Sequence, residues 1–166
     1  LGVGLHVVVV SGRPVLPVEE VPDLVDDFGM FDTNLVRAGF RYFFVRKVRR
    51  QLEREICAQF DAFQKTGLPL DHVNAHDHMH LHPAVLSLIL EVGRSFGLRA
   101  MRLPDEPLNV PGAQSLSLSG RIGQCFLGIW LGILRGWLRR AGIVGNDRVY
   151  GIRDSCSLVR ERMLSL

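Results

Sequence analysis

Leu70-Asp71-His72-Val73-Asn74-Ala75-His76-Asp77-His78-Met79-His80-Leu81-His82-Pro83 carries three local signals in one run. Leu70 to Ala75 reads as a short strand, a histidine-rich connection follows, and Pro83 suits the first turn of a helix that runs through Phe96 and stops at Gly97. Such a joint belongs to an α/β unit. Upstream, Phe44, Val48, Leu52, Ile56, Phe60 and Phe63 recur at three- and four-residue steps, which predicts one amphipathic helix from Phe40 to Lys65 with Gly67 as its stop. Further back, Gly4-Leu5-His6 and four valines predict a buried strand ended by the turn Ser11-Gly12-Arg13-Pro14. Val15 to Asn34, rich in Pro, Asp and Glu, reads as a surface excursion. Downstream come a third strand (Leu98 to Leu103), a loop (Pro104 to Ser119), a helix (Arg121 to Ala141) and a last short strand (Arg148 to Ile152). The order strand, helix, strand, helix, strand predicts a parallel α/β sheet or barrel.

With 47% of its 166 residues hydrophobic, the chain has enough apolar material for the core of one globular domain. Its net charge of +3 comes almost wholly from arginines spread along the sequence, a pattern that indicates no nucleic-acid partner. Cys57, Cys125 and Cys156 are odd in number and lack C-x-x-C spacing. Neither a zinc knuckle nor a disulfide framework is expected, and a reducing, cytoplasmic compartment is the default. No charged region or cleavage site marks the first residues as a signal peptide. A chain that opens at Leu1 inside a hydrophobic run is expected to have lost what preceded it. The most apolar window, Cys125 to Leu134, is about half the roughly 20 residues needed to cross a bilayer. It predicts either a core-packed helix, or one whose Ile129, Trp130, Ile133 and Trp137, beside Arg135, Arg139 and Arg140, dock on the inner membrane surface.

All six histidines lie at His6 or at the even positions His72, His76, His78, His80 and His82. On an extended segment, alternate residues project to one side about 6.6 Å apart, so two of these imidazoles can converge on one ion, although five cannot. Neutral imidazole binds several divalent metals, and a hydrolytic site commonly takes two histidines and one carboxylate while leaving positions open for water. A single histidine at a strand end is more often a hydrogen-bonded core or surface residue, whereas a histidine-rich tract favours metal. His6, within a buried-strand pattern, needs a polar partner, and a metal shared with the cluster would supply one.

Gly4-Leu5-His6, Thr66-Gly67-Leu68-Pro69 and Asp71 to Pro83 together resemble the YdjC/ChbG carbohydrate deacetylases. Val7 to Pro17, Asp71 to Asn74, Leu86 to Glu91 and Asn146-Asp147-Arg148-Val149-Tyr150-Gly151 resemble the hopanoid-biosynthesis-associated branch called HpnK. The resemblance implies a TIM-barrel-like (β/α) deacetylase fold, of which residues 1–166 would be one partial catalytic domain with its N- and C-terminal parts missing. It also implies a divalent metal, Mg or Zn, held by one aspartate and two histidines, and by motif match the histidines are His6 and His76. His78, His80, Arg102 and Glu106 become candidates for supporting the ligands or touching substrate. The family's aspartate lies in an Asp-Asp-Phe-Gly motif before Gly-Leu-His, and its late histidine would fall beyond Leu166. Asp26-Asp27-Phe28-Gly29 copies the first motif, but in the surface excursion and after His6, and reads as a decoy. The catalytic groups are therefore unassigned, and the chain alone is expected to be inactive. In the intact family enzyme the metal would polarise an acetamide carbonyl and activate water, with an aspartate as base and a histidine as acid. The branch implies an N-acetylglucosamine headgroup on a hopanoid lipid as substrate. The alternatives are a soluble chitooligosaccharide, or a metal-binding protein without hydrolase activity.

Overall fold

The computed structural model describes residues 2–106 and 118–149, and the chain divides into two compact units, residues 1–101 and 102–166. In the first unit β1 (Val3–Val7) pairs in parallel with β2 (Leu70–Ala75), setting Leu5 opposite Val73, His6 opposite Asn74 and Val7 opposite Ala75. β2 pairs in parallel with β3 (Ala100–Met101) through Val73 and Met101. The mixed α/β class with a parallel sheet is thus the one predicted. Pairing is irregular between Val3 and Leu5, next to Gly4. A Cβ on Gly4 would stand 2.6 Å from the His72 imidazole, and one on Gly2 would stand 2.3 Å from the Asp71 carboxyl. The missing side chains leave room for Asp71 and His72, joined by a 2.9 Å contact, against the backbone of β1.

The single helix expected over 40–65 is two, α1 (Leu35–Phe44) and α2 (Arg46–Gln64), broken where Val45 turns extended. Asn34 caps α1 by accepting from the Arg37 amide. The break explains why Phe44 is 63% exposed despite fitting the apolar repeat: it belongs to α1, which buries Ala38, Gly39 and Tyr42 instead. Val48, Leu52, Ile56 and Phe60 of α2 are buried as the spacing predicted. α3 (Pro83–Ser95) begins at its proline, and Gly97 follows it with φ +74°.

The excursion from Val15 to Asn34 is not wholly superficial, because Val21, Leu24 and Phe31 are buried. Its anchors escape periodicity because they follow no regular repeat. A second stripe on α2, at four-residue steps, holds the chain between Val8 and Asp23. Glu55 accepts from the amides of Val15 and Leu16. Gln59 accepts from the amide of Val8 and donates to its carbonyl, and Gln51 accepts from the amide of Asp23. Backbone groups without a sheet partner are satisfied this way.

In the second unit α4 (Leu118–Arg140) buries Leu131, Leu134 and Leu138. Gly142, φ +73°, follows it before β4 (Val144–Gly145). Among the described residues β4 is the last strand; residues 150–152 of the strand expected at 148–152 lie outside the described residues, as do 107–117 of the loop and Cys156. Arg135, which the membrane-docking alternative set beside lipid, pairs with Asp105 at 2.7 Å and donates to the carbonyl of Asp147. Asn146 accepts from the Leu103 amide and donates to its carbonyl. Ile129 and Ile133 are exposed, and Trp137 is half-buried. Among the described residues no helix is long and apolar enough to cross a membrane.

Removing the Glu55 carboxylate strands two backbone donors. Glu55→Ala is expected to destabilise the protein by about 3 kcal/mol, read as a lowered urea midpoint; a loss below about 1 kcal/mol would show that water replaces the contact.

Candidate functional site

Parallel pairing brings the carboxyl ends of β1 and β2 together, the edge at which open α/β sheets collect their ligands. His6 and Asn74 sit opposite each other in the register, and His76 follows Ala75 directly. His6 Nδ1 lies 2.8 Å from the Asn74 side-chain oxygen, and its Nε2 lies 3.4 Å from His76 Nδ1. The rings meet nearly perpendicular, at 84°. On its far side His76 Nε2 lies 3.6 Å from the Asp77 carboxylate, which accepts at 3.4 Å from the Ser11 hydroxyl. His6 is exposed and His76 half-buried, so the burial expected for His6 does not hold. His6 lies on the exposed face of β1, and the next residue, Val7, is buried.

The histidine run is not extended. Asp77 (φ 47°, ψ 30°) and His78 (φ 54°, ψ 27°) both adopt the left-handed conformation, inside a short 3-10 segment from His76 to Leu81. Two successive non-glycine residues there carry local strain, a feature that clusters at functional sites. The turn breaks the alternation that would have put the even-numbered histidines on one side. His76 goes to His6, whereas the exposed His78 and the buried His80 stack edge to face with centroids 6.0 Å apart. His72 goes to Asp71. His82 is half-buried between Gly39 and Phe43, and its buried Nδ1 has no hydrogen-bond partner among the described residues. Burial holds its pKa below the usual histidine value.

Arg102 and Glu106 belong to the second unit, where Arg102 is exposed and Glu106 half-buried. Asp26 accepts from the amides of Phe28 and Met30, closing a turn whose Gly29 has φ +70° and whose Phe28 is 82% exposed. Its carboxylate serves its own loop. Ser11, Asn74 and Asp77 were not predicted for the site. Asn74 was the legible one: aligning the ends of two parallel strands places it beside His6.

The donor set can be tested against a metal. Two nitrogens bound at about 2.0–2.1 Å to one tetrahedral ion stand about 3.3–3.4 Å apart, and the observed separation is 3.4 Å. If His6 carries its proton on the Nδ1 that meets Asn74, and His76 carries its proton on the Nε2 that faces the Asp77 carboxylate at 3.6 Å, the two facing nitrogens both present lone pairs. They then need a cation between them. Partners on the outer nitrogen of each ring are the usual means of orienting metal-binding histidines. The pair thus fits two ligands of a divalent-metal site. Among the described residues no group of three or more His, Cys, Asp or Glu is arranged to hold a metal.

The first unit is thus a mixed α/β arrangement with a parallel sheet and an imidazole pair at the carboxyl ends of its strands. The YdjC-like protein family matches residues 1–166, and the chain belongs to that family. It is 38% identical to a carbohydrate deacetylase of Brevibacillus brevis over 58% of this chain and 36% of that protein. It is 36% identical to a carbohydrate deacetylase of Geobacillus stearothermophilus over 65% of this chain and 38% of that protein. The matches thus span little more than a third of these relatives. A crystal structure of an Enterococcus faecalis protein, described as a cellobiose-phosphate cleavage protein, superposes with a TM-score of 0.56 at 24% identity, covering 99% of this chain and 52% of that one. This last likeness concerns the fold alone.

Two outcomes follow. Replacing Asn74 with leucine is expected to release His6 from the Nδ1–H tautomer, visible in long-range 1H–15N spectra of the metal-free protein, while Asn74→Asp keeps it; an unchanged tautomer in the leucine variant would remove Asn74 from the site. His82, held neutral by burial, binds its proton less readily in the folded than in the unfolded protein. Stability is therefore lost as the pH falls from about 6.5 toward the folded value. His82→Gln should flatten that loss in thermal melts across this range, and identical slopes would contradict it.

Proposed function

We propose that this chain forms part of a metal-dependent carbohydrate N-deacetylase, with His6 and His76 as two of the metal ligands. One observation carries the proposal: in a chain whose relatives are named carbohydrate deacetylases, two imidazole nitrogens stand at a metal's bite distance on the carboxyl edge of parallel strands. A divalent metal, Mg or Zn, when bound there supplies Lewis acidity toward an acetamide carbonyl and acidifies a water. Asn74 and Asp77 hold the two rings so that His6 Nε2 and His76 Nδ1 face one point. Ser11 steadies Asp77. His78 and His80, on the strained turn after His76, are the proposed supports of the ligands or contacts to the sugar. The complete fold proposed is a TIM-barrel-like (β/α) arrangement, of which β1, β2 and β3 are consecutive strands.

Within the family we assign the chain to the HpnK branch, with an N-acetylglucosamine headgroup on a hopanoid as substrate and the free amine as product. The exposed apolar residues Ile129 and Ile133 of α4 suit the lipid tail of that substrate. A second proposal, a metal-binding protein without hydrolase activity, draws on the pair of donors that lacks a third among the described residues.

The test is mass spectrometry of the protein that carries this chain, incubated with metal and either N-acetylglucosaminyl hopanoid or diacetylchitobiose. Loss of the acetyl mass from the hopanoid supports the full proposal, loss from chitobiose alone removes the lipid, and loss from neither favours the second proposal. His6→Ala combined with His76→Ala should abolish both turnover and metal binding by calorimetry; undiminished metal binding would overturn the ligand assignment.

A further inference from the structure

We infer that the aromatic face of α1, with the basic start of α2, is a docking surface for an anionic lipid bilayer. α1 reverses the usual partition of side chains by size. It buries Ala38 and Gly39 with Tyr42, while Val36 is 83% exposed, Phe40 61%, Phe43 50% and Phe44 63%. Burial ordinarily takes the large apolar residues first. The inversion is fixed by packing. A Cβ on Gly39 would meet the His82 ring at 3.1 Å, and the Tyr42 hydroxyl donates to the Val9 carbonyl from inside the core. The helix has no freedom to rotate its phenylalanines inward.

The exposed rings form one ridge. Phe40 and Phe44 have centroids 4.6 Å apart, and Phe43 and Phe44 4.9 Å apart. With Val36 one turn before Phe40, and Leu35 and Val45 at its ends, the ridge is an apolar strip along the helix, a contiguous exposed patch of the kind that marks an interaction surface. Rings packed on one another in this way are not separate platforms for stacking bases.

Charge selects the occupant. Between Thr33 and Leu52 there is no acidic residue, but there are Arg37, Arg41, Arg46, Lys47, Arg49 and Arg50. Asp32 takes Arg37 and Asp23 takes Lys47, while Arg46 and Arg50 are exposed and carry no ion pair among the described residues. An apolar helical face bordered by unpaired arginines is the pattern of a helix lying in the headgroup region of an anionic membrane. The strip also continues into the histidine run, since Phe43 meets His82 edge to face with centroids 6.2 Å apart. A bilayer seated on α1 would therefore lie beside the segment that carries His76. This surface involves none of the residues of α4 and is independent of the proposed chemistry.

The experiment is co-sedimentation of the protein with vesicles of phosphatidylglycerol and phosphatidylcholine, compared with phosphatidylcholine alone. Binding is expected to the anionic vesicles only and to weaken with salt. It should drop at least about tenfold for Val36→Ser/Phe40→Ser/Phe44→Ser and for Arg46→Glu/Arg50→Glu, with unchanged circular dichroism as the check on folding. Ile129→Ser/Ile133→Ser on α4 should leave it unaltered. The inference is overturned if the native protein does not sediment, if the α1 variants bind as well as it does, or if only the α4 variant loses binding. It is equally overturned if those α1 variants abolish vesicle-free self-association in sedimentation velocity, which would make the face a contact between copies. Binding of a single-stranded oligonucleotide in preference to vesicles would assign it to nucleic acid.

Discussion

The parallel register of β1 against β2 is the constraint on which the candidate site rests. Setting His6 opposite Asn74 places three groups, His6, Asn74 and His76, at one edge of the sheet although nearly seventy residues separate the first from the others. A slip of one residue would send alternate side chains to the opposite face and separate the two imidazoles. Two glycines permit this register by leaving the surface of β1 open to Asp71 and His72. The clamp from α2 then holds the chain that leaves β1. The chemistry of the edge is thus a consequence of backbone pairing and of side chains that are absent.

Much of this arrangement was legible in the sequence. The apolar stripe of α2, the proline that opens α3 and the strand before the histidine run follow from periodicity and turn chemistry, because each depends on neighbours within a few residues. The break at Val45 did not, since the apolar spacing runs across it without interruption while the two helices bury different faces. The anchoring of Val21, Leu24 and Phe31 depends on residues from α2 far along the chain, which no local pattern reports.

The site divides in the same way. Histidine clustering pointed to the segment that meets His6, and the family resemblance singled out, from six candidates, the two histidines whose rings the fold brings together. The two left-handed residues at Asp77 and His78 were not foreseeable, because neither is a glycine and nothing adjacent demands a turn. Their effect is to sort the run. One imidazole is directed to the sheet edge, two stack on each other, and the last is packed beneath α1. Asp26-Asp27-Phe28-Gly29 shows the converse: a motif can be spelled in full and still be engaged in closing its own loop.

The polar stripe of Gln51, Glu55 and Gln59 has a consequence for how this protein can diverge. It grips the stretch from Val8 to Asp23 through main-chain amides and a carbonyl, groups that every residue except proline presents alike. Side chains along much of that stretch are therefore free to drift without loosening the grip. An inserted or deleted residue would move the amides past their acceptors. Substitution should be cheap there and length nearly invariant, a pattern opposite to the one usual for a loop of irregular conformation.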